Sequence, residues 1–130
     1  MLDTDTCIAV IKGHSGSLKK LRGKSIGQVG ISAITLSELN FGAAKSSRPE
    51  QAAAALAEFT LALEIASFDA EISPVYGAVR AARSKSGRPI GPLDTLIGSH
   101  ALALDVTLVT HNIREFSRIK GLRLEDWIDS

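Results

Sequence analysis

The amino-acid sequence predicts an α/β fold, a central and mostly parallel sheet of four to five strands flanked by helices, over one domain spanning residues 1–130. Three observations lead there. Short apolar runs of strand character are separated by longer helical stretches, and strands joined through helices pair in parallel with right-handed crossovers. The chain has 130 residues, the length of one domain and enough to bury roughly two-thirds of its unfolded surface. Its 45% hydrophobic and 22% charged residues, at a net charge of +1, describe a chain that builds its own core rather than a disordered or strongly basic one.

Each element has a local reason. A very short first strand ends at Asp3, and the "DTDT" that surrounds it supplies helix-capping residue types for the helix of "TCIAVIKG". "GHSGSLKKLRGK" is glycine-punctuated and basic, with a short amphipathic helix in its middle and a turn at its end. "QVGIS" reads as a strand, and "AITLSELNFGAAKS" behind it places Leu36, Leu39, Asn40 and Ala43 at helical spacing, with Glu38 on another side. "PEQAAAALAEFTLAL" is an alanine-rich helix opened by proline. "EIASFD" is a strand, "AEISPVYGAVRAARSKSG" a helix closed by Gly87, and "PLDTLIGSHALALD" a helix opened by Pro92. "VTLVT" is a buried strand, "NIREFSRI" a short helix and "LRLEDWI" a last, marginal strand.

Composition also excludes. No apolar stretch approaches the roughly 20 residues of a membrane span, and the N-terminus has no basic segment leading into an apolar one. The expectation is a soluble, cytoplasmic protein with no membrane partner. Cys7 is the only cysteine, so an intramolecular disulfide and a CxxC site are both excluded, and a buried, inert thiol is expected. "AVIKGHSGSLKKLRGKS" imitates a phosphate-binding loop, but GxxxxGK[ST] ending at Lys24 and Ser25 requires glycine where Leu18 stands. A phosphoacceptor receiver would want a lysine just after a late strand, and "TLVTHN" has none.

In open α/β sheets ligands bind at the carboxyl ends of the strands, and this rule gathers scattered acids into one candidate site. Asp3 closes the first strand, Glu38 follows "QVGIS", Asp94 opens a helix, and Asn112 with Glu115 follows "VTLVT". Carboxylates brought together repel and raise one another's pKa unless a cation neutralises them, and an oxygen-only set suits Mg²⁺ or Mn²⁺. Such an ion polarises a phosphodiester. Each residue also has a plainer reading: Asp3 and Asp5 as helix caps, Glu38 as an exposed helical carboxylate, Asp94 as a charge favoured by the helix dipole, Glu115 as a surface partner of Arg114 and Arg118. His14, His100 and His111 are too dispersed for a ligand cluster and read as structural or surface residues.

Four phrases, "MLDTDTCIAVIKG", "ISAITLSELNFGAAKS", "GRPIGPLDTLIGSHALAL" and "TLVTHNIREFSRIKGLRLEDW", occur in the right order over essentially the whole chain. Together they resemble the PIN-domain ribonuclease toxins of the VapC family. The resemblance implies a PIN-like three-layer sandwich and an endoribonuclease dependent on Mg²⁺ or Mn²⁺, the toxin of a type II toxin-antitoxin pair. It implies a structured RNA substrate, transfer RNA above all, with a cut in the anticodon loop of initiator transfer RNA. By the same resemblance Asp3 and Asp94 bind the metal, Glu38 completes the centre directly or through water, Thr4 assists, and the fourth family acid falls at Asn112, with Glu115 as a substitute. The implied product ends are a 5′-phosphate and a 3′-hydroxyl. Implied partners are a VapB-like antitoxin, a second copy in a homodimer or larger assembly, and promoter DNA reached through the antitoxin.

Three features depart from the family pattern: Asp5 where asparagine is more frequent, Asn112 where an acid is expected, and a start at Met1-Leu2 that leaves almost no first strand. Relatives usually carry a few residues ahead of the "LDT" phrase, so either the strand is minimal or the chosen start is late. The alternative to an active nuclease is an inactive PIN-like RNA- or protein-binding module in which Asn112 has disabled turnover. Substrate grip is expected from Lys12, Lys19, Lys20, Arg22 and Lys24, the densest basic cluster, whose plainer reading is a solvated face.

Overall fold

The computed structural model describes residues 1–129. In chain order its elements are α1 (Thr4–Ile11), α2 (Ser15–Arg22), β1 (Gly30–Ser32), α3 (Ala33–Ala44), α4 (Pro49–Thr60), β2 (Glu64–Ala66), a 3₁₀ turn (Ala70–Ile72), α5 (Ser73–Ser86), α6 (Pro92–Ala103), β3 (Leu108–Val109), α7 (Ile113–Phe116) and β4 (Leu124–Glu125). The helix boundaries follow local chemistry. Asp3 caps α1 by accepting from the Thr6 N–H, and Ser32 caps α3 by accepting from Ile34. Proline occupies the first turn of α4, α5 and α6, where its missing N–H leaves no bond unmade. Gly87 closes α5 at φ 70°, a left-handed conformation that favours glycine. Helix α4 stops three residues earlier than its alanine-rich sequence suggests, because the Thr60 hydroxyl bonds back to the Leu56 and Ala57 carbonyls and the chain turns into β2.

The sheet is sparser than the sequence implies. β1 pairs with β2 and β3 with β4, both in parallel, with Ile31 opposite Ile65 and Val109 opposite Glu125. The first strand contributes one bridging residue, Leu2, which pairs in parallel with Ile31 on one side and Val109 on the other. Its N–H donates to the Gly30 carbonyl at 2.9 Å. The Asp3 N–H donates to Val109 O at 2.9 Å, and the Val109 N–H donates to Met1 O at 2.8 Å. β1 lies so close to β2 that a side chain at Gly30 would place its Cβ 2.8 Å from the Glu64 carbonyl oxygen.

Two apolar clusters cover opposite faces of these strands. Leu2, Ile31 and Val109 pack with Cys7, Leu39, Leu56 and Trp127, while Leu108 packs with Val79, Ile97, Phe116 and Ile119. The alternation of neighbours along a strand sends Leu108 one way and Val109 the other, so helices are needed on both sides. Cys7 is fully buried, and that burial pushes its thiol pKa up, which agrees with the inert role expected of it. No helix among the described residues is long and apolar enough to cross a membrane.

Leu2 is fully buried and, among the described residues, is the one that links the two ladders through backbone bridges. Leu2→Ala is therefore expected to lower unfolding free energy by about 2–5 kcal/mol, read from urea denaturation. An unchanged midpoint would remove Leu2 from that role.

Candidate acidic site

The site begins with Asp3, because a residue placed at the end of the central bridge is held from three directions. Its backbone is fixed on Val109. Its Oδ1 accepts from the Thr6 N–H at 2.9 Å, and its Oδ2 accepts from the Thr110 hydroxyl. Asp3 is only 4% exposed. Burial raises its pKa, and the bonds from Thr110 and Thr6 pull it part of the way back.

Asp94 comes from the first turn of α6, next to Thr95, whose hydroxyl bonds the Ile90 and Gly91 carbonyls. Its carboxyl is pushed up to about 6, first by burial and then by the charges of Glu115, Asp3, Glu38 and Asp5. Residues from α1, α3 and α7 thus act on one carboxylate of α6. Glu38, on α3, accepts from the Thr4 hydroxyl at 2.7 Å, which ties α3 to the start of α1.

Asn112 and Glu115 form one unit. The Asn112 N–H donates to Thr110 Oγ1 at 2.9 Å, and its side-chain amide donates to Glu115 Oε2 at 3.0 Å. The other Glu115 oxygen accepts from the Gly91 N–H at 2.9 Å, at the cap of α6. A continuous chain of hydrogen bonds therefore runs from Asp3 through Thr110, Asn112 and Glu115 to the turn that delivers Asp94. All five candidate residues are brought to one edge. Thr110 is the member that reasoning from acids alone overlooked; its signal was a hydroxyl residue closing the apolar run "TLV".

Other expectations fare differently. Lys24 lies at the far end of the strands, where it lines a cavity of about 390 Å³ with Met1, Gly27, Glu64 and Thr107, and that cavity contains none of the five site residues. The basic cluster is thus not gathered whole at the acids. His14 caps α2, and His100 is fully buried with Nδ1 2.8 Å from Ser32 Oγ. His111 is exposed as expected, but it has acidic company. Its Nδ1 lies 3.0 Å from Asp126 Oδ2, and with Asp129 these side chains put three ligand atoms within 4.8 Å of one another, the one such group of three among the described residues. The triad of Asp3, Glu38 and Asp94 is more open than that.

Comparison with known proteins follows the same lines. The family model described as "PIN domain" matches residues 1–122. The chain is 40% identical over 127 residues to the tRNA(fMet)-specific endonuclease VapC of Shigella flexneri, covering 98% of this chain and 96% of that protein. It is 42% identical over 130 residues to ribonuclease VapC2 of Rickettsia felis, at the same coverage. The crystal structure of Rickettsia felis VapBC2 bound to a fragment of its promoter DNA superposes with a TM-score of 0.92 at 40% identity, covering 98% and 97% of the two chains.

The charge at Asp94 has a consequence for stability. A folded-state pKa of about 6 lies above the ordinary aspartate value of 3.8, so the ionised carboxylate destabilises the metal-free fold above pH 6, and this penalty disappears as pH falls towards 4. At pH 7.5 in chelator, Asp94→Asn is expected to be more stable than the wild type by about 1 kcal/mol, since solvent screens a half-buried charge. The gap should close at low pH in paired urea titrations. A gap independent of pH would contradict the shared field.

Proposed function

We propose, from the premise that this chain belongs to the PIN-domain family of VapC ribonucleases, that it is the toxin of a toxin-antitoxin pair and cuts transfer RNA as a divalent-metal-dependent endoribonuclease. The observation that carries this reading is the convergence of four carboxylates, Asp3, Glu38, Asp94 and Glu115, at one edge, where burial first and then the neighbouring charges push Asp94 up to about 6. Carboxylates gathered this way repel one another, and a bound divalent cation would relieve that repulsion.

The residues fit that cation. Asp3 and Asp94 would hold it, with Glu38 bound directly or through water, and an all-oxygen set suits Mg²⁺ or Mn²⁺. An open triad suits an ion that keeps part of its hydration shell. When bound, the ion supplies Lewis-acid polarisation of the phosphodiester and neutralises charge in the transition state. The chain's own residues do the positioning. Thr110 and the Thr6 N–H fix both oxygens of Asp3, Thr4 orients Glu38, and Glu115 holds the α6 cap through Gly91. Asn112 acts as a neutral member that donates to Glu115. Water attacking in line with the 3′ oxygen leaves a 5′-phosphate and a 3′-hydroxyl.

The substrate reading rests on the tRNA(fMet)-specific relative, which points to initiator transfer RNA, and the anticodon loop is the expected place of the cut. The partner reading rests on the VapBC complexes: a VapB-like antitoxin, a homodimer or larger assembly in the cytoplasm, and promoter DNA engaged through the antitoxin. Exposed Phe41 and Leu61, at 66% and 84%, support an apolar face for such a partner. We read the two ladders with Leu2 between them as one mostly parallel sheet of four to five strands, in a single domain over residues 1–130.

The test is cleavage of a total transfer-RNA pool by the purified chain with Mg²⁺, Mn²⁺ or chelator, beside Asp94→Asn, with cut sites and end groups read by sequencing. Discrete metal-dependent cuts, reduced at least 100-fold in the variant, are expected. No cutting under any metal would support the inactive binding module instead, and 2′,3′-cyclic phosphate ends would exclude the hydrolytic route.

A further inference from the structure

An acidic centre repels the polyanion it is proposed to cut, so cationic groups are needed nearby, and Lys24 sits at the wrong end of the strands to help. A second cavity, of about 230 Å³, lies between α5 and the start of α6. Tyr76, Arg80 and Arg83 line it from α5, and Ile90, Pro92 and Thr95 line it from the segment that delivers Asp94. Ile90 and Pro92 flank Gly91, whose N–H donates to Glu115 at 2.9 Å, so the cavity adjoins the turn that Glu115 anchors.

The lining has a consistent chemistry. Tyr76 is the chain's only tyrosine, and Arg80, one turn further along α5, donates from Nη1 to its hydroxyl at 3.0 Å. Arg83 lies another turn along the same face. Neither arginine pairs with a carboxylate among the described residues, and no acid lines the cavity. A third guanidinium, Arg118, reaches the rim by donating to the Pro89 carbonyl at 3.3 Å. The volume is below the roughly 300–1,000 Å³ of drug-sized sites and suits one planar ring system. An aromatic ring, an apolar floor at Ile90 and Pro92, and two unpaired guanidinium groups are what single-stranded RNA recognition uses: a base on the ring, its phosphates on the arginines.

We infer that this cavity is a subsite for one unpaired RNA nucleotide flanking the scissile phosphate, with Tyr76 taking the base and Arg80 and Arg83 the adjoining phosphates. The inference rests on the ribonuclease reading and extends it, since it assigns the grip on substrate to α5 rather than to the lysines of α2. It requires a nucleotide free to leave its stack, which favours a loop over a paired stem.

The test measures binding apart from cutting. In an Asp94→Asn background, the affinity of fluorescein-labelled unfractionated transfer RNA is followed by anisotropy over a range of salt. Tyr76→Ala is expected to weaken binding on the order of tenfold, Tyr76→Phe to retain it, and Arg80→Gln with Arg83→Gln to lower the log-log salt slope by about two. In the otherwise wild-type chain the same substitutions raise KM and leave kcat in place. Arg80 is exposed and Arg83 half-buried, so Arg80→Gln alone keeps the test valid if Tyr76→Ala melts early. Unchanged affinity and salt slope in folded variants overturn the subsite, as does a loss confined to antitoxin binding. Cutting with a KM indifferent to these residues removes the subsite and keeps the nuclease. Tyr76-dependent binding without cutting does the reverse.

Discussion

The buried junction at Leu2 and Asp3 is the constraint on which the rest depends. Leu2 supplies the hydrophobic and backbone link between two short ladders, and Asp3, the next residue, places a carboxylate where the strand ends. Fold and site therefore share one peptide unit. Burying a carboxylate is unfavourable unless its oxygens are satisfied; here one accepts a backbone N–H and the other a threonine hydroxyl. The same bonds that make burial tolerable also fix the direction of both oxygens. Capping and a place in the acidic site are not exclusive for Asp3, because the cap is what orients its carboxylate.

Much of this organisation was legible in the sequence. Prolines 49 and 92 and Gly87 mark helix ends by backbone chemistry alone, and the structure puts them there. The convergence of Asp3, Glu38, Asp94, Asn112 and Glu115 was legible because strands alternating with helices leave only one edge for residues that follow strands. The sheet was harder. β3 and β4 have two residues each, and apolar runs such as "VTLVT" do not reveal how many residues make ladder bonds. Thr110 carried only a faint signal for another reason: its importance lies in a bond to a residue 107 positions away, and a threonine ending a strand is otherwise ordinary.

The basic residues teach the complementary lesson. Density in sequence drew attention to Lys12 through Lys24, yet the turn after α2 carries Lys24 to the starts of the strands. Arg80, Arg83 and Arg118 are scattered in sequence, on α5 and just beyond α7, but the packing of α5 against α6 and the bond from Arg118 to Pro89 bring them to one rim. Charge that is consecutive in sequence spreads around a helix, while charge at spacings of three and four stays on one face. Spacing on an element, rather than local density, is the better guide to where a polyanion would be met.

The neutral residue at 112 belongs to the same logic. Its side-chain amide lies 3.0 Å from a Glu115 oxygen and donates to it. An aspartate there would replace that donor with a second acceptor and set two like charges side by side. It would also add to a field that already raises Asp94. Asparagine instead satisfies one oxygen of Glu115 and leaves the other for Gly91 N–H, so the cap of α6, and with it Asp94, is held without a further charge. Asn112 and Glu115 thus form one hydrogen-bonded unit at the start of α7. The local charge then resides on a carboxylate whose two oxygens are already anchored, one on Asn112 and the other on Gly91.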